Sequence, residues 1–315
     1  MEPSCKKFVL KTLLLLLPVA VIFIFFEYSL RQIPNDYTFK KSYLDSHAEK
    51  IQLLILGGSN SFLQLNPVYF SQNTFNAGHV SQTLDIDFEI FKKYREQFKE
   101  LKMIVLPVSY FSLWAKLENS DEYWRMKNYV IYYGLKGKKI DYYFELLSNT
   151  PGTSIKLFIQ YYLKHKDNIS CDHLGWGMIY RFTDDAMDLE KSGKERAQIQ
   201  NKFIYSTEGA KLFAENSKTL NTFAEMCHQN NIKLLFFTPP VFHSFLKNTD
   251  KEQLNKVFET INDIVERHRG CYYLNWLEDE DFVREDFFDA DHVNEIGVEK
   301  LSKKLAGFID SLIEE

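Results

Sequence analysis

Four short apolar runs, each closed by turn residues and separated from the next by helical periodicity, constrain this chain more than any other feature. The first, Ile51-Gln-Leu-Leu-Ile-Leu56, stops at Gly57-Gly58; Met103-Ile-Val-Leu106, Lys233-Leu-Leu-Phe-Phe237 and Cys271-Tyr-Tyr-Leu274 follow it. Continuous apolar runs of this length read as strands covered on both faces, which is the environment of a parallel sheet. A further short strand is expected over residues 74–76. Between the runs, Leu84, Phe88, Phe91, Tyr94 and Phe98 recur at helical spacing, and a helix is expected over residues 221–230. Leu254, Val257, Phe258, Ile261, Ile264 and Val265 form one apolar stripe across residues 251–268. Thr238-Pro239-Pro240 ends the third run, because proline cannot continue a central strand. The rhythm predicts an α/β domain on a parallel sheet over residues 51–315. It weakens over residues 115–219, where aromatic, lysine-rich segments and the turn Asn149-Thr-Pro-Gly152 read as a helical insertion or cap.

With 315 residues at 45% hydrophobic the chain can bury a full core, which excludes disorder. A net charge of -5 offers no concentrated basic face, so nucleic acid is not an expected partner. Residues 8–26 are apolar except for Lys11 and Thr12, with Lys6 and Lys7 before them and Glu27 after. That stretch of roughly 19 residues approaches the ~20 that cross a bilayer. The positive-inside rule then makes residues 1–30 a cytoplasmic tip and transmembrane anchor, residues 31–50 a polar linker, and the rest an extracytoplasmic body. The rival is a cleaved signal peptide, but no small-x-small site follows Phe26, and a retained anchor is preferred. A buried core helix fits poorly at an extreme terminus beside a cationic flank. Cys171, Cys227 and Cys271 in the body show no C-x-x-C spacing, and burial is their expected use.

Two segments carry chemistry. Gly57-Gly58-Ser59-Asn60-Ser61 follows the first strand, where glycines permit a tight turn and the hydroxyl of Ser59 is presented at the carboxyl edge of the sheet. Asp289-Ala-Asp-His292-Val-Asn294-Glu-Ile-Gly297 precedes a terminal helix marked by Val298, Leu301, Leu305, Phe308 and Ile309. A spacing of three is nearly one helical turn, so Asp289 is placed to orient the imidazole of His292, which in turn reaches toward the serine. A serine hydroxyl needs such a base at neutral pH. Taken singly, the first segment also reads as an ordinary βα turn or a phosphate loop, and the second as a helix N-cap with a nearby charge. His79, His243 and Asp291 are candidates for site walls, with structural or solvent-facing roles the simpler reading. Neither nucleotide-loop pattern, G-x-G-x-x-G or G-x-x-x-x-G-K-[ST], is present, and no H-E-x-x-H or Cys/His cluster marks a metal.

Together these segments resemble the SGNH, or GDSL-like, hydrolase superfamily, over about residues 51–125 and 220–312, and in particular its membrane-anchored bacterial branch linked to envelope glycans. The resemblance implies a three-layer, flavodoxin-like sheet, no cofactor, and a catalytic triad of Ser59, Asp289 and His292. It also implies an oxyanion hole from the amides of Ser59 and Gly78, the latter in Asn76-Ala-Gly78-His79. The family's usual Gly-x-Asn-Asp block is replaced by Leu106-Pro-Val-Ser-Tyr-Phe-Ser112, so either Ser109 donates the missing hydrogen bond or the hole works with two backbone amides. The implied substrate is an acylated glycan or small ester. The implied location is the cytoplasmic membrane, with the body outside and, for an O-acyltransferase, an acyl-donating membrane partner. A different class of reading is a non-catalytic glycan-binding or assembly protein that grips sugar through Tyr123, Trp124, Tyr132 and Tyr133.

Overall fold

The computed structural model describes residues 3–181, 188–201, 204 and 206–314. Its helices are α1 (Pro3–Arg31), α2 (Asp36–His47), α3 (Ser59–Phe62), α4 (Leu84–Tyr94), α5 (Met126–Ile131) and α6 (Glu145–Ser148), then α7 (Pro151–Phe158), α8 (Leu189–Gln200), α9 (Thr207–Gln229), α10 (His243–Lys247), α11 (Lys251–Arg267) and α12 (Glu295–Glu314). The strands are β1 (Leu53–Ile55), β2 (Thr74–Asn76), β3 (Met103–Pro107), β4 (Lys233–Thr238), β5 (Cys271–Asn275), β6 (Phe287–Asp289) and β7 (His292–Val293). The chain forms two compact units, residues 1–39 with 123–169, and residues 40–122 with 170–315.

In the second unit β1 to β5 form one parallel sheet of order β2-β1-β3-β4-β5. This is the flavodoxin-like order, with its switch point where β1 meets β3. The strands pack by their pleat. Leu53, Ile55, Met103, Val105, Leu235 and Phe237 share a core with Val298, Leu301, Leu305 and Ile309 of α12. Full burial of each such side chain contributes roughly 1.5–3 kcal/mol. The alternate residues Leu54, Ile104, Leu234 and Phe236 are also buried and point to the other face, where α9 contacts β4 and α4, and α11 contacts β5. The three layers follow from strands that are apolar on both faces.

Three expectations change. Residues 31–50 are not a linker: Asn35 Oδ1 caps α2 by accepting from the amides of Tyr37 and Thr38. Tyr43 of α2 stacks on Phe75 of β2 with ring centroids 4.0 Å apart, and Leu44 is fully buried. The buried face of α2 runs through Lys40, which breaks the apolar stripe and hides the helix from a hydrophobicity reading. Of the expected insertion, residues 123–169 fall in the first unit, whereas among the described residues α8 and α9 belong to the second. Finally, residues 289–292 are not a helical turn but the tip of an antiparallel hairpin, β6 and β7, in which Asp289 and His292 are direct cross-strand partners. Asp289 Oδ1 accepts the amide of Asp291 at 3.0 Å, a local turn that competes with helix.

In the first unit Glu27 near the end of α1 is buried, where its carboxylate accepts the amides of Glu145 and Leu146 at 3.0 Å each and pairs with Arg31 Nε at 2.7 Å. Placing an anion on the amides that start α6, which have no partner within the helix, fastens that helix to α1. Phe25 and Phe26 pack on Phe158 of α7, and Phe23 on Phe144. Of the four aromatics offered for sugar binding, Tyr133 is buried and Tyr132 donates to Glu145 Oε1 at 2.8 Å. Tyr123 and Trp124 reach the surface, each covered by a cation, Lys139 and Arg125 respectively. Cys171, Cys227 and Cys271 are buried thiols, none of them in a disulfide.

Candidate active site

Ser59 sits at the first position of α3, directly past the carboxyl end of β1. Gly57 makes the turn with φ +115°, and a Cβ there would lie 2.6 Å from Ser61 Oγ. Ser61 Oγ in turn donates to the Leu56 carbonyl, and Asp87 Oδ1 accepts the Gly57 amide at 2.7 Å. Burial lifts the Asp87 carboxyl to about 7, against the opposing bonds from Gln82 and Gly57. The turn is thus tied from both sides, while Ser59 itself stays half-exposed.

His292 Nε2 lies 2.8 Å from Ser59 Oγ, and its Nδ1 lies 2.9 and 3.1 Å from the two carboxylate oxygens of Asp289. The histidine and both neighbouring aspartates are buried. The hairpin is held in place by the next turn of chain. Asn294 Oδ1 caps α12 by accepting the amides of Ile296 and Gly297, and a Cβ on Gly297 would come within 2.3 Å of the Asp286 carbonyl. The three residues expected to act together are therefore brought into one hydrogen-bonded chain.

Other expectations are revised. The Gly78 amide donates to Asn76 Oδ1 at 3.0 Å, so it is not aimed at a substrate oxygen. Glycine is needed there for space instead, since a Cβ would stand 2.8 Å from the Gly57 carbonyl. Among the described residues the amides of Ser59 and Asn60 have no hydrogen-bond partner, as expected for the first turn of a helix. Ser109 Oγ accepts from Asn60 Nδ2 at 2.6 Å, which places its hydroxyl beside that turn. Asp291, a candidate for a site wall or a structural role, is buried beside the histidine: its Oδ1 is 3.4 Å from His292 Nδ1, and its other oxygen accepts from Arg196 Nη2 at 2.9 Å and Gln200 Nε2 at 3.1 Å. His79 is buried, whereas His243 is exposed and pairs with Glu190 at 2.7 Å.

Charge balance sets the behaviour of the histidine. Burial pushes its pKa down, but Asp289 and Asp291 outweigh that and bring it to about 9. Burial also works against ionised Asp291, yet His292 and Arg196 hold its carboxyl far below the ordinary range. Asp289, Asp291 and His292 have the donor atoms of a metal site, all within 4.8 Å of one another. Those atoms already serve Ser59, each other and Arg196, whose guanidinium supplies the cation.

Sequence reasoning missed several residues. Gln64, fully buried, donates to Asn60 Oδ1 at 2.8 Å and to the Asp291 carbonyl at 3.3 Å, and accepts the Val293 amide at 3.2 Å. It bolts the serine turn to the histidine hairpin, and its only sequence signal is a polar residue inside the apolar run Phe62-Leu63-Gln64-Leu65. Gln64→Met leaves these groups unpaired and lets the hairpin shift. The expected result is a loss of about 10–100-fold in kcat with the fold retained, measured by steady-state kinetics beside thermal unfolding. An unchanged kcat would show that the hairpin holds without it. Tyr180 was also unforeseen: it stacks on Phe288 at 3.9 Å and sets its edge to His292 at 5.4 Å. Burial first, and the nearby Asp289 charge next, lift its phenol to about 12.

No protein-family model matches the chain, and no curated protein matches it. Among solved structures it is similar to a provisionally assigned platelet activating factor from Streptococcus pneumonia, at 8% identity, covering 94% of this chain and 98% of that one, with a TM-score of 0.42. It is also similar to a provisionally assigned acylhydrolase from Bacteroides fragilis, at 9% identity and 86% and 95% coverage, TM-score 0.42. A GDSL-like lipase from Bacteroides thetaiotaomicron matches at 10% identity and 88% and 98% coverage, TM-score 0.39.

Proposed function

We propose that this chain is an SGNH-type serine esterase, held in a membrane by α1, that removes acyl groups from extracytoplasmic glycans through an acyl-enzyme. The observation that carries the reading is the Asp289–His292–Ser59 chain of hydrogen bonds at the carboxyl end of β1. As Ser59 Oγ attacks the ester carbonyl, its proton passes to His292 Nε2, and Asp289 holds the Nδ1 proton and balances the imidazolium. The oxygen of the tetrahedral intermediate is received by the Ser59 and Asn60 amides with help from the Ser109 hydroxyl. Collapse returns the proton from His292 to the leaving alcohol and leaves Ser59 acylated. A water, deprotonated by the same histidine, then releases the carboxylic acid.

The anchor is supported by residues 10–31 of α1, where an 18-residue window has a mean hydropathy of 2.4. The glycan substrate is supported by the motif resemblance to envelope-linked enzymes. The test is to give the full chain in detergent an O-acetylated polysaccharide, with and without an unacetylated glycan acceptor, and to follow free acetate and glycan-bound acetyl by mass spectrometry. Release of acetate is the expected result. Acetyl moving to the acceptor with little free acetate would make the protein a transferase. Neither product would remove the glycan reading.

A further inference from the structure

The helical stretch over residues 151–163, α7 continued by a π-helical turn at Ile159–Leu163, has its polarity inverted for a helix in water. Ser154 is buried at 3% exposure, while Ile155, Ile159 and Leu163 are exposed at 54%, 36% and 68%. These three stand at i, i+4 and i+8, which is one face of a helix. A solvated helix turns such a stripe toward its core. Here the core side is held instead by Phe158, packed on Phe25 and Phe26 of α1. Phe25 is itself 55% exposed, so the apolar face of α7 adjoins the outward face of the hydrophobic helix. Tyr162 donates to the Ser29 carbonyl at 3.0 Å, near the end of that helix, where a ring with an apolar body and a polar tip suits a membrane boundary. Exposed Lys156, Lys164 and Lys166 flank the stripe with cations that suit phosphate headgroups.

We propose that residues 151–163 lie in the headgroup boundary of a lipid bilayer, with Ile155, Ile159 and Leu163 entering the acyl region beside α1. This rests on the reading of α1 as the membrane anchor. The first unit is then a membrane collar, and the occupant of its apolar face is lipid. An amphipathic segment of this kind sinks about 5–10 Å into the headgroup and acyl boundary.

The test uses the full chain in nanodiscs with anionic lipid, in a background with Cys5→Ser, the other three cysteines being buried. Spin labels are placed singly at Ile155→Cys, Ile159→Cys, Leu163→Cys, at Leu17→Cys within α1, and at Lys211→Cys on the exposed side of α9. Collision with oxygen, which favours lipid, is compared with collision with a water-soluble nickel chelate. The expected oxygen-to-nickel ratio at 155, 159 and 163 is several-fold above that at 211 and below that at 17. A deep reading at 17 with water-like readings at all three stripe positions overturns the collar and leaves the anchor standing. Water-like readings at 17 as well overturn the anchor reading itself. Protection of the stripe from both reagents, with immobilised spectra, overturns lipid as the occupant and indicates a protein partner or second copy of the chain.

Discussion

Ser59→Ala and His292→Ala each lower kcat/KM for p-nitrophenyl acetate by about 10⁴–10⁶-fold, and the double variant is hardly worse than either alone. The non-additivity follows from the geometry. With Ser59 Oγ and His292 Nε2 2.8 Å apart, the hydroxyl is a nucleophile only because the imidazole takes its proton, so either deletion removes the same step. Some rate survives, because the Ser59 and Asn60 amides remain to polarise a bound carbonyl. Ser59 is half-exposed and its side chain fills no core, so Ser59→Ala leaves thermal stability near that of the parent. Steady-state kinetics at matched folded concentration, with thermal unfolding alongside, checks both parts. Equal turnover in the parent and both single variants would sink the triad, and additive losses would show that the two residues act in separate steps.

What the sequence could and could not disclose follows from the range of each interaction. The sheet was legible because β1, β3 and β4 are buried on both faces and the edge strand β5 is half-buried, which leaves continuous apolar runs that end on turn residues. Ser59, Asp289 and His292 were legible because a tight glycine turn and a three-residue spacing are local patterns. The conformation between Asp289 and His292 was not, since hairpin and helical turn both serve that spacing, and the choice rests on the Asp291 amide bonding to Asp289. The helix α2 was masked by Lys40, buried against the Phe62 ring and bonded to the Gly78 carbonyl. Gln64 and Arg196 act on the site across 229 and 95 residues of chain, and no local pattern foretells such contacts. Gly78 differs from its expected role because a glycine signals only an unusual backbone need, and here that need is room for the Gly57 carbonyl rather than an exposed amide.

Asp289→Asn and Asp291→Asn have different effects although both carboxylates flank the same imidazole. Asp289 faces Nδ1 with both oxygens, so an amide there offers a donor where an acceptor is required and favours the wrong tautomer. The expected loss is ~10⁴-fold in kcat at every pH. Asp291 stands farther off at 3.4 Å and is occupied by Arg196 and Gln200, so it tunes the charge of His292 without orienting it. The base must be neutral to work. In the parent, where burial is outweighed by the two aspartates, kcat/KM rises with pH to a plateau above about 9. Asp291→Asn removes one of the anions and leaves Arg196, so the rise moves to lower pH. Arg196→Gln removes the cation and leaves the anion, so the rise moves to higher pH. Opposite displacements of the acid limb at similar plateau rates are the expected outcome, and a limb that stays in place in both variants would sink the tuning role. The same linkage acts on stability. A histidine whose pKa is raised by folding contributes stability that is full below its ordinary 6.5 and is lost as pH climbs through about 9. The parent is therefore expected to lose melting temperature across the interval in which it gains activity, and Asp291→Asn, with less to lose, to show a shallower fall.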